Sequence, residues 1–220
     1  KNGVEIELYK FIPVAAGMAG GSADAAAVLY GINKLFRLGL DLAGLMERGV
    51  SLGADIPYCL MGGTVLAEGI GEKLTRLKDC PDCYFVVAKP PFSVSTKLVY
   101  EKLVLDERTE HPDIDGIMAA IDADDVQGIA ARMSNVLETV TAVEYPDIEG
   151  IKDKMRECGA LNALMSGSGP TVFGIFDNKE KAERCNQILR QDSRVKTAYV
   201  AENCSGGFEA RMEEHYVGRQ

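Results

Sequence analysis

Three short segments hold residues whose types and spacing could do chemistry. The first, "PVAAGMAGGSAD" at 13–24, runs small residues into a helix-forming stretch of Ala, Val and Leu. Small residues beside a helix start let the backbone approach a ligand. The first-turn N–H groups have no intrahelical partner, and the dipole is positive there. Together they make an anion site. Gly17, Ala19, Gly20 and Gly21 would admit phosphate oxygens, and Ser22 would add a hydroxyl. The spelling is not a Walker A loop, which needs Lys before Ser/Thr, and it is not GxGxxG. The same residues also read as a plain Gly-rich turn with Ser22 as N-cap.

The second segment is "SLGADIPYCL", residues 51–60, with Asp55 between Gly53 and Pro57. Asp55 reads either as an N-cap with Pro in the first turn or as a carboxylate that positions and deprotonates an attacking hydroxyl. The third is "ALMSGSGPTVFGIF", residues 163–176. It reads as a hairpin loop between two strands, yet such a loop does not require two Gly and two Ser. A second loop of small residues is what closing over a polyphosphate would need.

The elements that must position these segments follow from periodicity. Alternation in "VEIELYKFI" predicts a strand over 4–12, ended by Pro13, which cannot donate to a ladder. Helices are expected at 22–38 and, capped by Asp41, at 42–52. "TVLAEGIGEKLTRL" predicts a hairpin turning at Gly69-Ile70-Gly71, and "CYFVVAKP" a buried strand. Helices are then expected at 95–104, 112–121, 124–140, 147–157 and 178–191, and strands at 161–166, 171–176 and 195–201. That order predicts an α+β arrangement with helices on one face of an antiparallel sheet. A boundary is expected near 80–91, where Pro residues cluster, giving units 1–82 and 83–220.

The 220 residues are 46% apolar with net charge −9, enough material for one large domain or two small ones. The acidic balance argues against nucleic acid as a partner. No apolar run approaches the roughly 20 residues of a membrane span, and no signal peptide is visible. A cytoplasmic protein is the expectation. Of six cysteines, Cys80 and Cys83 form a CxxC, but no second CxxC or His pair completes a zinc site, so no metal ligands are assigned. His111 and His215 lie in polar contexts that suit neither a triad nor a metal site. The chain starts at Lys1, directly in the predicted strand, so an N-terminally truncated chain is expected. An unpartnered strand edge recruits partners, so self-association as a homodimer is expected there.

Taken in order, the strings "IPVAAGMAGGSADAAAVL", "GADIPYCLMGGTVLAEGIGE" and "ALMSGSGPTVFGIF" resemble the GHMP kinase superfamily, and within it the 4-diphosphocytidyl-2-C-methyl-D-erythritol kinase family. The resemblance spans essentially the whole chain. It implies a two-domain α+β GHMP kinase fold: an incomplete N-terminal part like a ribosomal-protein domain, and a ferredoxin-like α/β C-terminal domain. It further implies ATP with Mg²⁺ as phosphoryl donor, and a small-molecule acceptor, diphosphocytidyl-methylerythritol, in non-mevalonate isoprenoid biosynthesis. Pro13, Val14, Ala15, Ala16, Gly17, Met18, Ala19, Gly20, Gly21, Ser22 and Ala23 would hold the polyphosphate, with Gly167, Ser168 and Gly169 approaching from the second domain. Asp55 would be the catalytic carboxylate. Tyr100, in "PPFSVSTKLVY", would stack on cytosine, unless it is a core residue of helix 95–104.

Two departures stand out. The family's usual Gly-Leu-Gly is Gly17-Met18-Ala19 here, and its second Ser is Ala23. The family also has an N-terminal segment, with a catalytic lysine, before the point where this chain begins. The resemblance therefore implies a fragment with little or no activity. The rival expectations are a homoserine- or mevalonate-type GHMP kinase, which "GADIPY" fits less well, and a non-catalytic nucleotide-binding fragment.

Overall fold

A computed structural model describes residues 3–107 and 109–204; His215 and the end of the second expected unit lie outside the described residues. Residues 3–12 form no strand, which corrects the first expectation. A strand needs a neighbour to take its N–H and C=O groups, and among the described residues none runs beside this segment. Its apolar side chains stay in solvent: Leu8 is 59% and Phe11 87% exposed.

The first expected helix runs Gly20–Phe36 (α1) instead of 22–38. It begins two residues early because Ala19 takes the left-handed conformation and turns the chain into the helix, so Ser22 is inside the first turn and is not the N-cap. Arg37, also left-handed, ends it by donating its N–H to Asn33 and Lys34 carbonyls. Buried Asn33 fixes the next turn, donating to Leu40 O (2.9 Å) and accepting from Leu40 N (3.1 Å). Asp41 caps α2 (Leu42–Val50) as expected, accepting from Gly44 N at 2.8 Å. A short α3 (Ile56–Met61) follows, and Ala26, Leu45, Ile56 and Leu60 make one small core among the three helices. The hairpin β1 (Val65–Glu68) and β2 (Lys73–Arg76) turns through Gly69 and Gly71, both at positive φ.

The second half is built on β3 (Tyr84–Lys89), β4 (Asn162–Met165), β5 (Val172–Phe176) and β6 (Thr197–Glu202), ordered β4-β5-β3-β6 with every pair antiparallel. Its helices are α4 (Thr96–Lys102), α5 (Ile114–Asp122), α6 (Val126–Arg132), α7 (Glu138–Glu144), α8 (Asp147–Glu157) and α9 (Lys179–Leu189). Val86, Ala88, Val172 and Phe176 meet Ile148, Ile151 and Met155 of α8 and Ala182, Cys185 and Leu189 of α9 in the main core. Full burial of each large side chain there contributes roughly 1.5–3 kcal/mol.

Two expectations are corrected. The helix expected over 124–140 is two helices, because Met133 is extended and the chain breaks before Glu138. The helices are not all on one face: α6 sets Ala130 against Cys83 and Ile175, with Phe85 alongside, on the side opposite α8 and α9. The helical and main cores fall on either side of the division expected at 82/83. Between them, Leu77 and Cys80 pack on α5 and α6, and Lys78 reaches Asp122 O (3.1 Å) and Asp124 (2.6 Å).

Candidate active site

The loop before α1 is wound by three residues at positive φ: Ala15 (51°), Gly17 (71°) and Ala19 (47°). For the alanines this conformation costs roughly 1–2 kcal/mol each, so the surroundings must hold it. The first helical bond is Ala23 N to Ala19 O, at 2.9 Å. The N–H groups of Gly20, Gly21 and Ser22 therefore have no carbonyl behind them in the helix. A side-chain carbon at Gly21 would meet nothing within 4 Å, so the mouth is open there, and the first turn carries no acidic residue. A helix of 17 residues, with N–H groups free of intrahelical partners in an open, small-residue mouth, has the features that suit an anion.

The late loop 166–170 comes against this mouth. Ser166 Oγ donates to Gly17 O at 2.7 Å. A side-chain carbon at Gly17 would lie 2.5 Å from Ser166 O and 3.0 Å from Gly169 O, so only glycine lets the two backbones meet. Gly167 and Gly169 are at positive φ, and the Gly169–Pro170 peptide is cis. The Ser168 side chain is buried and bonded to Thr96 Oγ1 at 2.8 Å. Its hydroxyl already has a partner, and what the loop offers forward is backbone.

Asp55 stands at the N-cap place of α3, yet it accepts no capping hydrogen bond, and its own backbone is helical. The N-cap reading holds in position, with Pro57 in the first turn and Asp55 O taking the first helical bond from Cys59 N at 3.0 Å, but the side chain does no capping; Asp55 also lines a cavity of about 430 Å³ shared with Tyr58, Gly63 and Thr64. The turn carrying it also abuts α1, since a side-chain carbon on Gly53 would be 4.0 Å from Ser22 Oγ. The Cys59 thiol is pushed up by burial and, second, by the Asp55 charge. The core alternative for Tyr100 is corrected as well: it is 60% exposed, while Val99 is the buried residue of α4. Tyr100 lies one turn beyond Thr96, on the same side of the helix. Thr96 in turn holds the late loop.

Some residues at the site went unread in the sequence. Lys10 pairs with Asp24 in the α1 mouth, its Nζ 3.6 Å from where a Gly20 side chain would begin. In the sequence it looked like one position on a strand face. Asn135 binds two carbonyls of the late loop across a gap of about thirty residues, and no local pattern announces that. Among the described residues no group of three or more His, Cys, Asp or Glu is placed to hold a metal ion, and no helix is long and apolar enough to cross a membrane.

A helix mouth met by a second glycine loop, with Asp55 on the turn that adjoins α1, is an arrangement that could serve phosphoryl transfer. Residues 1–63 match the GHMP kinases N terminal domain and residues 117–193 the GHMP kinases C terminal family. The chain is 59% identical over 200 residues to 4-diphosphocytidyl-2-C-methyl-D-erythritol kinase of Lachnospira eligens, covering 91% of this chain and 69% of that one. It is 47% identical over 213 residues to the enzyme of the same name from Caldicellulosiruptor saccharolyticus, covering 97% and 73%. A crystal structure of 4-(cytidine 5'-diphospho)-2C-methyl-D-erythritol kinase superposes with TM-score 0.76 at 32% identity, covering 90% of this chain and 69% of that one. Homoserine kinase from Cytophaga hutchinsonii superposes with TM-score 0.74, at 21% identity and the same coverage, which shows the shared fold. The chain belongs to the 4-diphosphocytidyl-2-C-methyl-D-erythritol kinase family of GHMP kinases. Its chemistry is accordingly that of an ATP-dependent phosphotransferase.

Proposed function

We propose that the protein transfers the γ-phosphoryl group of ATP to a hydroxyl of 4-diphosphocytidyl-2-C-methyl-D-erythritol, a step of non-mevalonate isoprenoid synthesis, in the cytoplasm. The observation that carries this is the contact of the two glycine loops at the α1 mouth, with Asp55 on the adjoining turn. The relatives' names supply the acceptor.

In this reading the small residues of 13–23 admit the polyphosphate, and the N–H groups of Gly20, Gly21 and Ser22 bind it. Lys10, held there by Asp24, brings an ammonium group to the same mouth. Gly167 to Gly169 close from the other side. Asp55 orients the acceptor hydroxyl and takes its proton as the new P–O bond forms and ADP leaves. Most of the acceleration then comes from positioning and charge stabilisation. Tyr100, exposed one turn from Thr96, offers a face on which cytosine stacks. Mg²⁺ would arrive on the nucleotide phosphates and neutralise charge there. Hard oxygens that could hold it are the Ser22 hydroxyl and the Asp24 carboxylate on α1 and the Asp55 carboxylate on the adjoining turn, the donor type that this ion takes. Self-association as a homodimer through the exposed apolar run 4–12 belongs to the same reading.

The test is Asp55→Asn in the full chain, assayed with ATP, Mg²⁺ and diphosphocytidyl-methylerythritol beside homoserine and mevalonate. Turnover should fall by about 10²–10⁴. The melting temperature should hold, because the carboxylate caps nothing. Unchanged turnover would remove Asp55 from the chemistry, and preference for homoserine or mevalonate would overturn the acceptor.

A further inference from the structure

Three side chains spaced three apart, Asn135, Glu138 and Thr141, run from the break before α7 into that helix and all face the late glycine loop. Asn135 Nδ2 donates to Met165 O (2.9 Å) and to Gly167 O (2.8 Å), while its Oδ1 accepts from Leu137 N (3.0 Å). Glu138 Oε1 accepts from Met165 N at 2.5 Å. Thr141, fully buried, donates to Ser168 O at 3.2 Å. Four backbone groups of 165–168 are thus held from one side. The row is itself anchored: Glu138 Oε2 is paired at 2.6 Å with Lys152 Nζ, whose side chain is 6% exposed and which also bonds Glu149.

A trans peptide points its C=O and its N–H in opposite directions. With the Gly167 carbonyl drawn toward Asn135, the N–H of Ser168 in the same peptide must point away from α7. The Ser168 side chain does not compete, because it is held by Thr96. Ser166 and Gly169 amides are spent within the loop, on Thr171 O (2.8 Å) and Ser166 O (2.9 Å). We propose that Asn135 is a positioning residue that aims the Ser168 backbone N–H at the transferring phosphate, with Glu138 and Thr141 holding the same loop in register. This rests on the reading of the late loop as a phosphate loop. Asn135 itself touches no substrate. It acts by fixing where a donor points, and donors fixed in advance count most where charge develops.

The experiment uses Asn135→Asp and Thr141→Val in the full chain. Asn135→Asp keeps the acceptor for Leu137 N but sets a carboxylate against two carbonyls. Nucleotide affinity is measured by calorimetry with a non-hydrolysable ATP analogue, and kcat and KM for each substrate by steady-state assay. A small misplacement of such a donor costs about 10²-fold, so kcat/KM for ATP should fall by that order in Asn135→Asp, with KM for the acceptor within twofold. Thr141→Val loses one bond and should fall about tenfold. A purely structural role would lower the melting temperature and leave the kinetics of the folded fraction unchanged, and that result in either variant overturns the proposal. A wild type that does not bind the ATP analogue overturns the kinase reading itself. A wild type that binds it as tightly as both variants do overturns only the positioning role.

Discussion

Ala19 shows how one residue sets the geometry of a site. Its left-handed backbone begins α1 and leaves three N–H groups facing the loop, yet an L-residue there is strained by roughly 1–2 kcal/mol. Glycine removes the strain but costs about 0.4–1 kcal/mol through the unfolded chain. Relief of strain outweighs that cost, so Ala19→Gly should raise stability by up to about 1 kcal/mol, read from the denaturant midpoint. A drop would mean that the methyl group makes packing contacts worth more than the strain. The small-residue composition of 13–23 was legible because a chain wound through three positive-φ positions and met closely by a second loop permits little else. Of the two readings of Ser22 the cap alternative failed for an equally local reason: Ser before an apolar run is a common start signal, and a left-handed Ala just upstream leaves no trace in the sequence. Asp55 and Tyr100 each kept two readings, since one residue type serves both roles; the structure removes side-chain capping for the first and core packing for the second.

Among elements, α7 is the one that periodicity hid. "DVQGIAARMSNVLETV" alternates like one helix, and only the side-chain bonds of Asn135 to Leu137 N and to the late loop show why the chain stops and restarts. The elements with a strong cap or a long apolar run, α2 and β3, came close to their expected bounds, because the signals that make them are local. The strand expected at 4–12 failed for the converse reason: alternation describes a surface, and a sheet requires a second chain segment to lie on it. The Glu138–Lys152 pair yields a prediction at this scale. Both side chains are largely out of water, 15% and 6% exposed, so removing one strands the other. Lys152→Ala should destabilise by about 3 kcal/mol, measured by urea unfolding. Lys152→Ala with Glu138→Gln together should recover part of that loss. No recovery would show that the lysine acts through its packed stem and not its charge.

For the whole molecule, the helical core and the main core are joined by loop contacts, with Ser166 on Gly17 and Lys78 on the end of α5 among them, and by the packing of Leu77 and Cys80 on α5 and α6. A ligand held by both glycine loops would then act as a clasp. An ATP analogue at about 100 times its Kd should stabilise the fold by about 2.7 kcal/mol. It should also draw the unfolding of the two halves together in calorimetry, whereas a ligand contacting one loop alone would raise only one transition. The strand order β4-β5-β3-β6 carries a further consequence, one of time and not of place. Strand β3 is synthesised first, yet its partners on both sides come late, and Asn203, which bonds Cys83, follows it by 120 residues. As the chain leaves the ribosome, β3 therefore waits with two bare edges while five helices, α4 to α8, are made. Pairings this distant fold slowly, and exposed edges invite aggregation while they wait. The helical half upstream can close early on its own contacts, so the meeting of the two glycine loops, one from each half, is completed only after the late loop and its strands have arrived.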